Sequence, residues 1–452
     1  MHLILRNDWH NERRSKSMVP LLLCFLTVSL FVWPAPSFDY TFDQVIESFE
    51  RDFDRVNPIK MKGRFQSIIS SITGMGIGQD VRIAFKQRGD VKHELFLQDM
   101  KKQSLTDEYK IAAYEYVLKQ LRFIEQDHSL KDILLGSLYD NLYGFYEPST
   151  KQLVIMEGTS KQIARNILFH ELVHAAQDRA IDLSQYYGRH AKNLDSGLAA
   201  SALVEGQATA VELMVQIEQN LQDKTRREIL EVVLAQMGNA VCYPEAEERD
   251  FLSLLNEFPY SFGLRFVLER YLNDTEDFTR MFENVPCSTE QILHPEKFHK
   301  NERPIKTTLL KKRGALSALR DTQLLLETTL GEYFIREMLP NIMKAETSGN
   351  QKAALGWGGD TMLVLKSSGG LFFVWDTEWD SSDDAERFHE AYRDFSQKRF
   401  GMKRLHRHET FEAILSKDQP RVLLKRKGRR ASVIEGNVPA STLKPLKDLL
   451  GL

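Results

Sequence analysis

The sequence predicts a mainly helical α+β protein, and three observations predict it. No proline or glycine interrupts residues 159–187, where Ile163, Ile167, Leu168 and Val173 recur at helical spacing. A second long helix runs from Ser196 to about Gln219 through Ala200, Ser201, Ala202, Gly206 and Ala208, small residues that let a partner helix approach closely. Toward the C-terminus, Thr361–Lys366 with Leu371–Trp375, and Arg421–Leu424 with Ala431–Ile434, read as two hairpins around turn-forming residues. A length of 452 residues suits two domains or one large one, and 42% hydrophobic with 27% charged residues is the composition of a folded chain. A net charge of -3 and a pI near 6.5 give no electrostatic case for nucleic acid or anionic membrane as a partner. Three cysteines exclude a dense disulfide scaffold and a Cys₄ zinc module.

Taken in order, the first residues read as an export signal. Arg6, Arg13, Arg14 and Lys16 outweigh Asp8 and Glu12, and Met18–Trp33 is apolar apart from Pro20, Thr27 and Ser29. Ala35 and Ser37 suit the -3 and -1 positions of a cleavage site, so the mature chain is expected to start near Phe38. The run is shorter than the about 20 residues of a membrane span; an uncleaved N-terminal anchor is the alternative. Both place the folded part outside the cytoplasm, and the apolar residues that follow Cys24 argue against lipid attachment there. Phe42, Val45, Ile46, Phe49, Phe53 and Val56 mark an amphipathic helix, Val81–Phe85 a short strand, and Tyr114, Val117, Leu118, Leu121 and Ile124 another helix. Gly74, Gly76 and Gly78 are followed by no Lys-Ser/Thr pair, which argues against a phosphate cradle. The turn-rich Gly144–Thr150 leads into Leu153–Met156, a strand that is either interior or an edge to which an extended peptide adds.

The chemistry concentrates in Phe169–Asp178, which contains H-E-x-x-H on a helix started by a capping box of Thr159 and Gln162. Residues four apart stand one turn, ~5.4 Å, apart on one face, so His170 and His174 can both reach one Zn²⁺ at ~2.1 Å. Glu171, rotated by about 100°, takes a general base's place beside the metal's open position. An amphipathic helix with two surface histidines is the bland alternative, since a zinc site of this kind needs a third protein ligand. Glu205 is a carboxylate on a small, largely apolar helix surface, costly to bury unless paired or bound to a metal, and it completes a His₂Glu set. His190, in a polar loop-like context, is the runner-up.

Beyond that helix, Cys242 and Cys287 are the cysteines left after export, and a disulfide between them is expected to contribute about 4 kcal/mol. Residues 344–360, rich in Ser, Gly, Asn and Ala, read as a boundary. Ser381 starts a helix with Ala385, Phe388, Tyr392 and Phe395 on one face, and Lys425–Arg430 is a basic turn, read as a solvated hairpin tip with anionic lipid or polymer as the alternative contact. The expected organisation is a signal or anchor at 1–37, a helical domain at 38–345 and a small α+β unit at 355–452.

HELVHAAQD followed by EGQAT resembles the gluzincin metallopeptidases, the thermolysin-like group in which a downstream helix gives the third ligand. More narrowly, the chain is similar to a group of largely uncharacterised exported prokaryotic proteins. Their ordered motifs are matched by Gly144–Pro148, His170–Asp178, Glu205–Thr209, Pro259–Gly263 and Ser288–Lys297, within a span of roughly residues 130 to 400. The resemblance implies a gluzincin-like core with His170, His174 and Glu205 as zinc ligands and Glu171 as catalytic base. His174 and Glu205 are 31 residues apart, farther than in thermolysin, and Thr209 stands where that enzyme has an aspartate supporting a ligand. Asp178 and Glu212 are therefore the candidates for orienting the histidines. Tyr260 and His294 are candidates for donating a hydrogen bond to a tetrahedral oxyanion, the job of a second His or Tyr in the gluzincins, with buried structural residues as the other reading.

A metzincin would need a glycine and a histidine where Gln177 and Ala180 stand, and a deformylase-like site lacks an upstream cysteine outside the signal. The expected function is hydrolysis of peptide bonds in a peptide or protein by an exported zinc enzyme, where the metal brings a water's pKa toward ~7 and Glu171 takes its proton. The alternative is a non-catalytic, zinc-stabilised scaffold or envelope assembly factor; the presence of Glu171 favours the enzyme.

Overall fold

The structure, a computed structural model, describes residues 58–91, 105–140, 142–219, 225–241, 255–275, 277–319, 321–338, 352–401, 410–414 and 421–451. The expected signal or anchor, the cleavage point at Phe38, the helix from Phe42 to Val56 and Cys242 of the expected disulfide lie outside the described residues. The fold is mixed α+β and mainly helical.

Helix α1 (Pro58–Thr73), strand β1 (Arg82–Lys86), helices α2 (Leu105–Gln120) and α3 (Leu130–Asp140), and strands β2 (Gly144–Glu147) and β3 (Gln152–Met156) come first. The three strands form one sheet in the order β1-β3-β2, β1 parallel and β2 antiparallel to β3. β3 is therefore interior, and the edges belong to β1 and β2. Helix α4 (Lys161–Ile181) lies on this sheet, burying Ile167, Leu168, Leu172 and Val173 in one cluster with Leu153, Ile155 and Tyr146 and with Phe65 and Ile69 of α1. Its N-cap is Ser160 rather than Thr159: the Ser160 hydroxyl accepts from the Ile163 N–H.

Residues 159–187, free of proline and glycine, nevertheless hold two helices. Asp182 adopts a left-handed conformation (φ 52°), its N–H donates to the Asp178 carbonyl, and its carboxylate accepts from the Gln185 N–H to start α5 (Leu183–His190). Aspartate tolerates this conformation better than most residues, and here it closes one helix while capping the next.

Helix α6 (Leu194–Gln219) runs through the largest core cluster. Its window Leu194–Val215 is long and apolar enough to cross a membrane, but 78% of it is buried inside the fold, as for the core helix of a globular domain. After α7 (Arg226–Val241), a π-helical turn at Phe258–Phe262 feeds α8 (Gly263–Arg270), and both pack on the small-residue surface of α6. The short α9 (Thr289–Leu293) and α10 (Pro295–His299) follow.

The last part is a six-stranded antiparallel sheet in the order β4-β5-β6-β9-β8-β7. It comprises β4 (Gln323–Thr328), then helix α11 (Gly331–Met338), β5 (Trp357–Ser367), β6 (Gly370–Trp379), helix α12 (Ser382–Arg399), β7 (Thr410–Ile414), β8 (Arg421–Lys427), β9 (Arg430–Gly436) and helix α13 (Ala440–Leu450). Both expected hairpins are present, closing at Ser367 opposite Gly370 and at Lys427 opposite Arg430. The basic turn is shorter than expected: Lys425, Arg426, Lys427 and Arg430 are strand residues, and only Gly428, with φ +59°, and Arg429 make the tip. Ser381 caps α12, whose Phe388 lies 5.4 Å from Trp375 and 4.9 Å from Trp379 between ring centroids. Leu443, Leu446 and Leu450 of α13 bury against Leu365, Phe372 and Ile434.

The sheet begins at Gln323, ahead of the boundary expected at 344–360. β4 reaches β5 across α11 instead of a tight turn, so no hairpin signal announces it. One continuous core cluster joins Leu203 and Phe266 through Tyr333 and Phe334 to Trp357, Trp375 and Tyr392, so the helices and the sheet share an interior. The Ser288–Lys297 motif knits this junction. The Thr289 N–H and hydroxyl donate to Asp195 of α6 at 2.8 and 2.6 Å, and the Lys297 ammonium lies 2.6 Å from Glu290, 2.7 Å from Glu302 and 2.6 Å from Asp380.

Candidate metal centre

Helix α4 presents His170 and His174 one turn apart, and α6 crosses it to bring Glu205 between them. His170 Nε2 lies 3.2 Å and His174 Nε2 3.3 Å from Glu205 Oε2. The imidazole rings stand edge to face, with centroids 4.7 Å apart and an 82° interplanar angle. All three side chains are buried. In a tetrahedral centre with bonds of about 2.0–2.1 Å, neighbouring ligand atoms stand about 3.3 Å apart. The donor set and its spacing therefore could hold a metal ion, and Glu205 Oε1, buried and without a hydrogen-bond partner among the described residues, is the kind of orphan that a cation would satisfy.

The electrostatics point the same way. Burial would raise the Glu205 carboxyl, but the His174 charge and the hydrogen bonds of both histidines pull it down to about 2. Burial would lower His170, yet Glu212 and Glu205 hold it well above the usual imidazole range; burial would lower His174, and Glu205 raises it. A buried carboxylate draws positive charge onto the two rings, the position a divalent cation would fill in place of protons.

Each ring is held from behind. His170 Nδ1 lies 3.4 Å from Glu212 Oε1, so of the two expected orienting groups Glu212 is the one that the structure places on a histidine. Asp178 is not: its carboxylate accepts from the Tyr146 hydroxyl at 2.7 Å, the Lys151 ammonium at 2.5 Å and the Leu183 N–H at 3.0 Å. It ties the β2–β3 hairpin to the end of α4, because the left-handed turn at Asp182 brings the start of α5 within its reach. His174 is oriented instead by Gln177, whose Oε1 is 2.8 Å from Nδ1. Thr209 spends its hydroxyl on the Glu205 carbonyl at 2.9 Å.

Glu171 is fully buried on α4 beside His170, outside the ligand row, and its charge acts on His174. Tyr260, buried in the π-helical turn, has its ring centroid 6.1 Å from that of His170, so the structure brings it to the site. Among the described residues His294 is paired elsewhere: its Nε2 faces Glu332 at 2.9 Å and its Nδ1 faces Glu296 at 3.9 Å, in the junction of α9, α10 and α11. His190, the runner-up ligand, ends α5 with its ring 4.9 Å from Tyr186, and the described residues whose ligand atoms gather with His170 and His174 are completed by Glu205 instead. The sequence assigns no role at the site to Gln177, Gln207 or Tyr146, although all three stand within the matched motifs. Gln177 alone carried a local signal, standing one turn after His174 on the same helix.

Comparison with known families matches residues 323–446 to a domain of unknown function, DUF8575. That stretch is the six-stranded sheet with α11, α12 and part of α13, and it contains none of the residues of the metal centre. No curated protein and no solved structure matches the chain.

Proposed function

We propose that the chain is an exported, zinc-dependent metallopeptidase of gluzincin type, acting on peptide bonds of a peptide or protein. The observation that carries this reading is the meeting of His170 Nε2 and His174 Nε2 with Glu205 Oε2 at 3.2 and 3.3 Å, with a further buried carboxylate, Glu171, beside His170. Zinc held there supplies a Lewis acid that polarises a scissile carbonyl and acidifies water. Glu171 holds the proton taken from the attacking water on its carboxylate and hands it to the leaving amine. Glu205 stays ionised, while Glu212 and Gln177 keep the two rings aimed. Tyr260, beside His170, is the residue assigned to steady the oxyanion. β2, at the edge of its sheet and packed on α4, is where an extended substrate adds by main-chain hydrogen bonds.

The test joins metal content to turnover. Purified wild type is expected to carry one zinc per chain and to cleave members of a broad peptide library, while Glu171→Gln keeps the zinc and loses cleavage by roughly 10²- to 10⁴-fold. Bound zinc with wild type and Glu171→Gln equally inert would replace the enzyme with a zinc-stabilised scaffold. Absence of divalent metal from wild type would remove both.

A further inference from the structure

Behind His174 lies a chain of two buried amides. Gln177 Oε1 meets His174 Nδ1 at 2.8 Å, Gln177 Nε2 donates to the Val204 carbonyl at 3.0 Å and to Gln207 Oε1 at 3.0 Å, and Gln207 Nε2 donates to the Phe278 carbonyl at 2.9 Å. Both glutamines are fully buried. A main-chain carbonyl only accepts, so Val204 and Phe278 fix which end of each amide is the nitrogen. With its nitrogen turned to Val204 and Gln207, Gln177 has only an acceptor left for the ring. His174 Nδ1 must then carry a proton, which leaves Nε2, 3.3 Å from Glu205 Oε2, as the nitrogen that would give up its proton to a metal bound there.

We propose that Gln177 and Gln207 are positioning residues that select the ring nitrogen His174 offers to the metal, relaying the direction of two main-chain carbonyls into the centre. This rests on the reading of His170, His174 and Glu205 as ligands. The device differs from the one behind His170, where the half-buried Glu212 carboxylate faces Nδ1 at 3.4 Å. An amide orients without adding charge, and this centre already gathers Glu205, Glu171 and Glu212. The relay also leaves the ligand helices: the Phe278 carbonyl belongs to the segment after α8, so the docking of that segment is coupled to the aim of His174.

The experiment uses full-length protein with zinc as the probe. Gln177→Met, which keeps length and packing but offers no comparable acceptor, is expected to weaken zinc binding by about 10- to 100-fold. Gln207→Met leaves Gln177 anchored on Val204 alone and should cost less, under about tenfold. In zinc-loaded protein with ¹⁵N-labelled histidine, wild-type His174 should be coordinated through Nε2 with a slowly exchanging Nδ1 proton. That proton should exchange faster in both variants, while the Nδ1 proton of His170 is unmoved. The His170 signal separates a specific relay from general loosening, and the wild-type spectrum needs no variant to fold. Coordination of His174 through Nδ1, or zinc affinity of Gln177→Met within twofold of a zinc-binding wild type, overturns the relay and leaves the metal centre standing. A wild type that takes up no zinc overturns both.

Discussion

Gly206 and Gly263 meet backbone to backbone. A β-carbon on Gly206 would lie 2.3 Å from both the carbonyl carbon and the oxygen of Gly263, and one on Gly263 would lie 2.3 Å from the carbonyl oxygen of Ala202. Glu205 is the chain neighbour of one glycine, and the π-helical turn holding Tyr260 ends at the other. The depth of this crossing therefore sets the place of the Glu205 carboxylate and of the Tyr260 ring.

Gly206→Ala should for this reason go against helix propensity. An alanine in an unobstructed helix gains up to about 1 kcal/mol over glycine, but here the added methyl meets main chain that cannot swing aside. The expected result is a loss of about 1–3 kcal/mol, together with weaker zinc binding. Gly188→Ala in α5, where nothing lies within 4 Å of the new methyl, is the control and should be neutral or stabilising. Equal unfolding midpoints for wild type and Gly206→Ala would contradict the crossing.

Two substitutions separate the acidic from the imidazole candidate for the third ligand. Glu205→Ala removes a ligand and should lose zinc, activity and the part of the stability that metal binding supplies. His190→Ala, with its ring against Tyr186, should keep zinc at the wild-type level. Metal analysis after dialysis reads both, and zinc retained by Glu205→Ala but lost by His190→Ala would reverse the assignment.

Tyr260 and His294 should part company in kinetics. Tyr260→Phe keeps the ring beside His170 and removes only the hydroxyl, so zinc content should hold while kcat falls by about 10²-fold with KM little changed. His294→Ala instead leaves Glu332 without its partner and should lower stability, with kcat per folded molecule near wild type. A kcat that falls more for His294→Ala than for Tyr260→Phe would exchange their roles.

Asp195 makes a prediction about pH. Burial, only partly offset by the bonds from Thr289, raises its carboxyl from 3.8 to about 8. The fold thus favours the protonated form. Its contribution to stability is fully present below the unfolded pKa near 3.8 and is lost as pH climbs toward about 8. Urea unfolding in the presence of a chelator, at pH 5 and pH 8, should show wild type losing on the order of 3–4 kcal/mol more than Asp195→Asn over this interval. Asparagine keeps the oxygen that Thr289 uses but does not titrate. Parallel pH dependence in the two proteins would rule out Asp195 as the source.

The three residues that the structure gathers were legible because their signals are local or compositional: two histidines one turn apart, and an acid isolated among small residues on a second helix. The orienting groups were less so. Glu212 was visible as an acid on the face of α6, whereas Asp178 was an equally plausible acid whose true partners, Tyr146 and the Leu183 N–H, depend on a left-handed residue that sequence periodicity does not reveal. The amides of Gln177 and Gln207 carry no charge and gain their meaning from carbonyls on other segments. β4 stayed hidden for a related reason: its hydrogen-bonding partner lies beyond a helix, and pairing across such a gap leaves no short-range trace.

The Lys297 ammonium, enclosed by Glu290, Glu302 and Asp380, has a consequence for any attempt to count or strip metal. These carboxylates are gathered as they would be around a cation, and the chain supplies that cation covalently. A chelator cannot withdraw it and added zinc must displace it, so stoichiometric metal uptake is expected to report on His170, His174 and Glu205 and not on the junction. Loss of structure on chelation would accordingly start where α4 crosses α6, with the seam between the helices and the six-stranded sheet still fastened by its own tethered counter-ion.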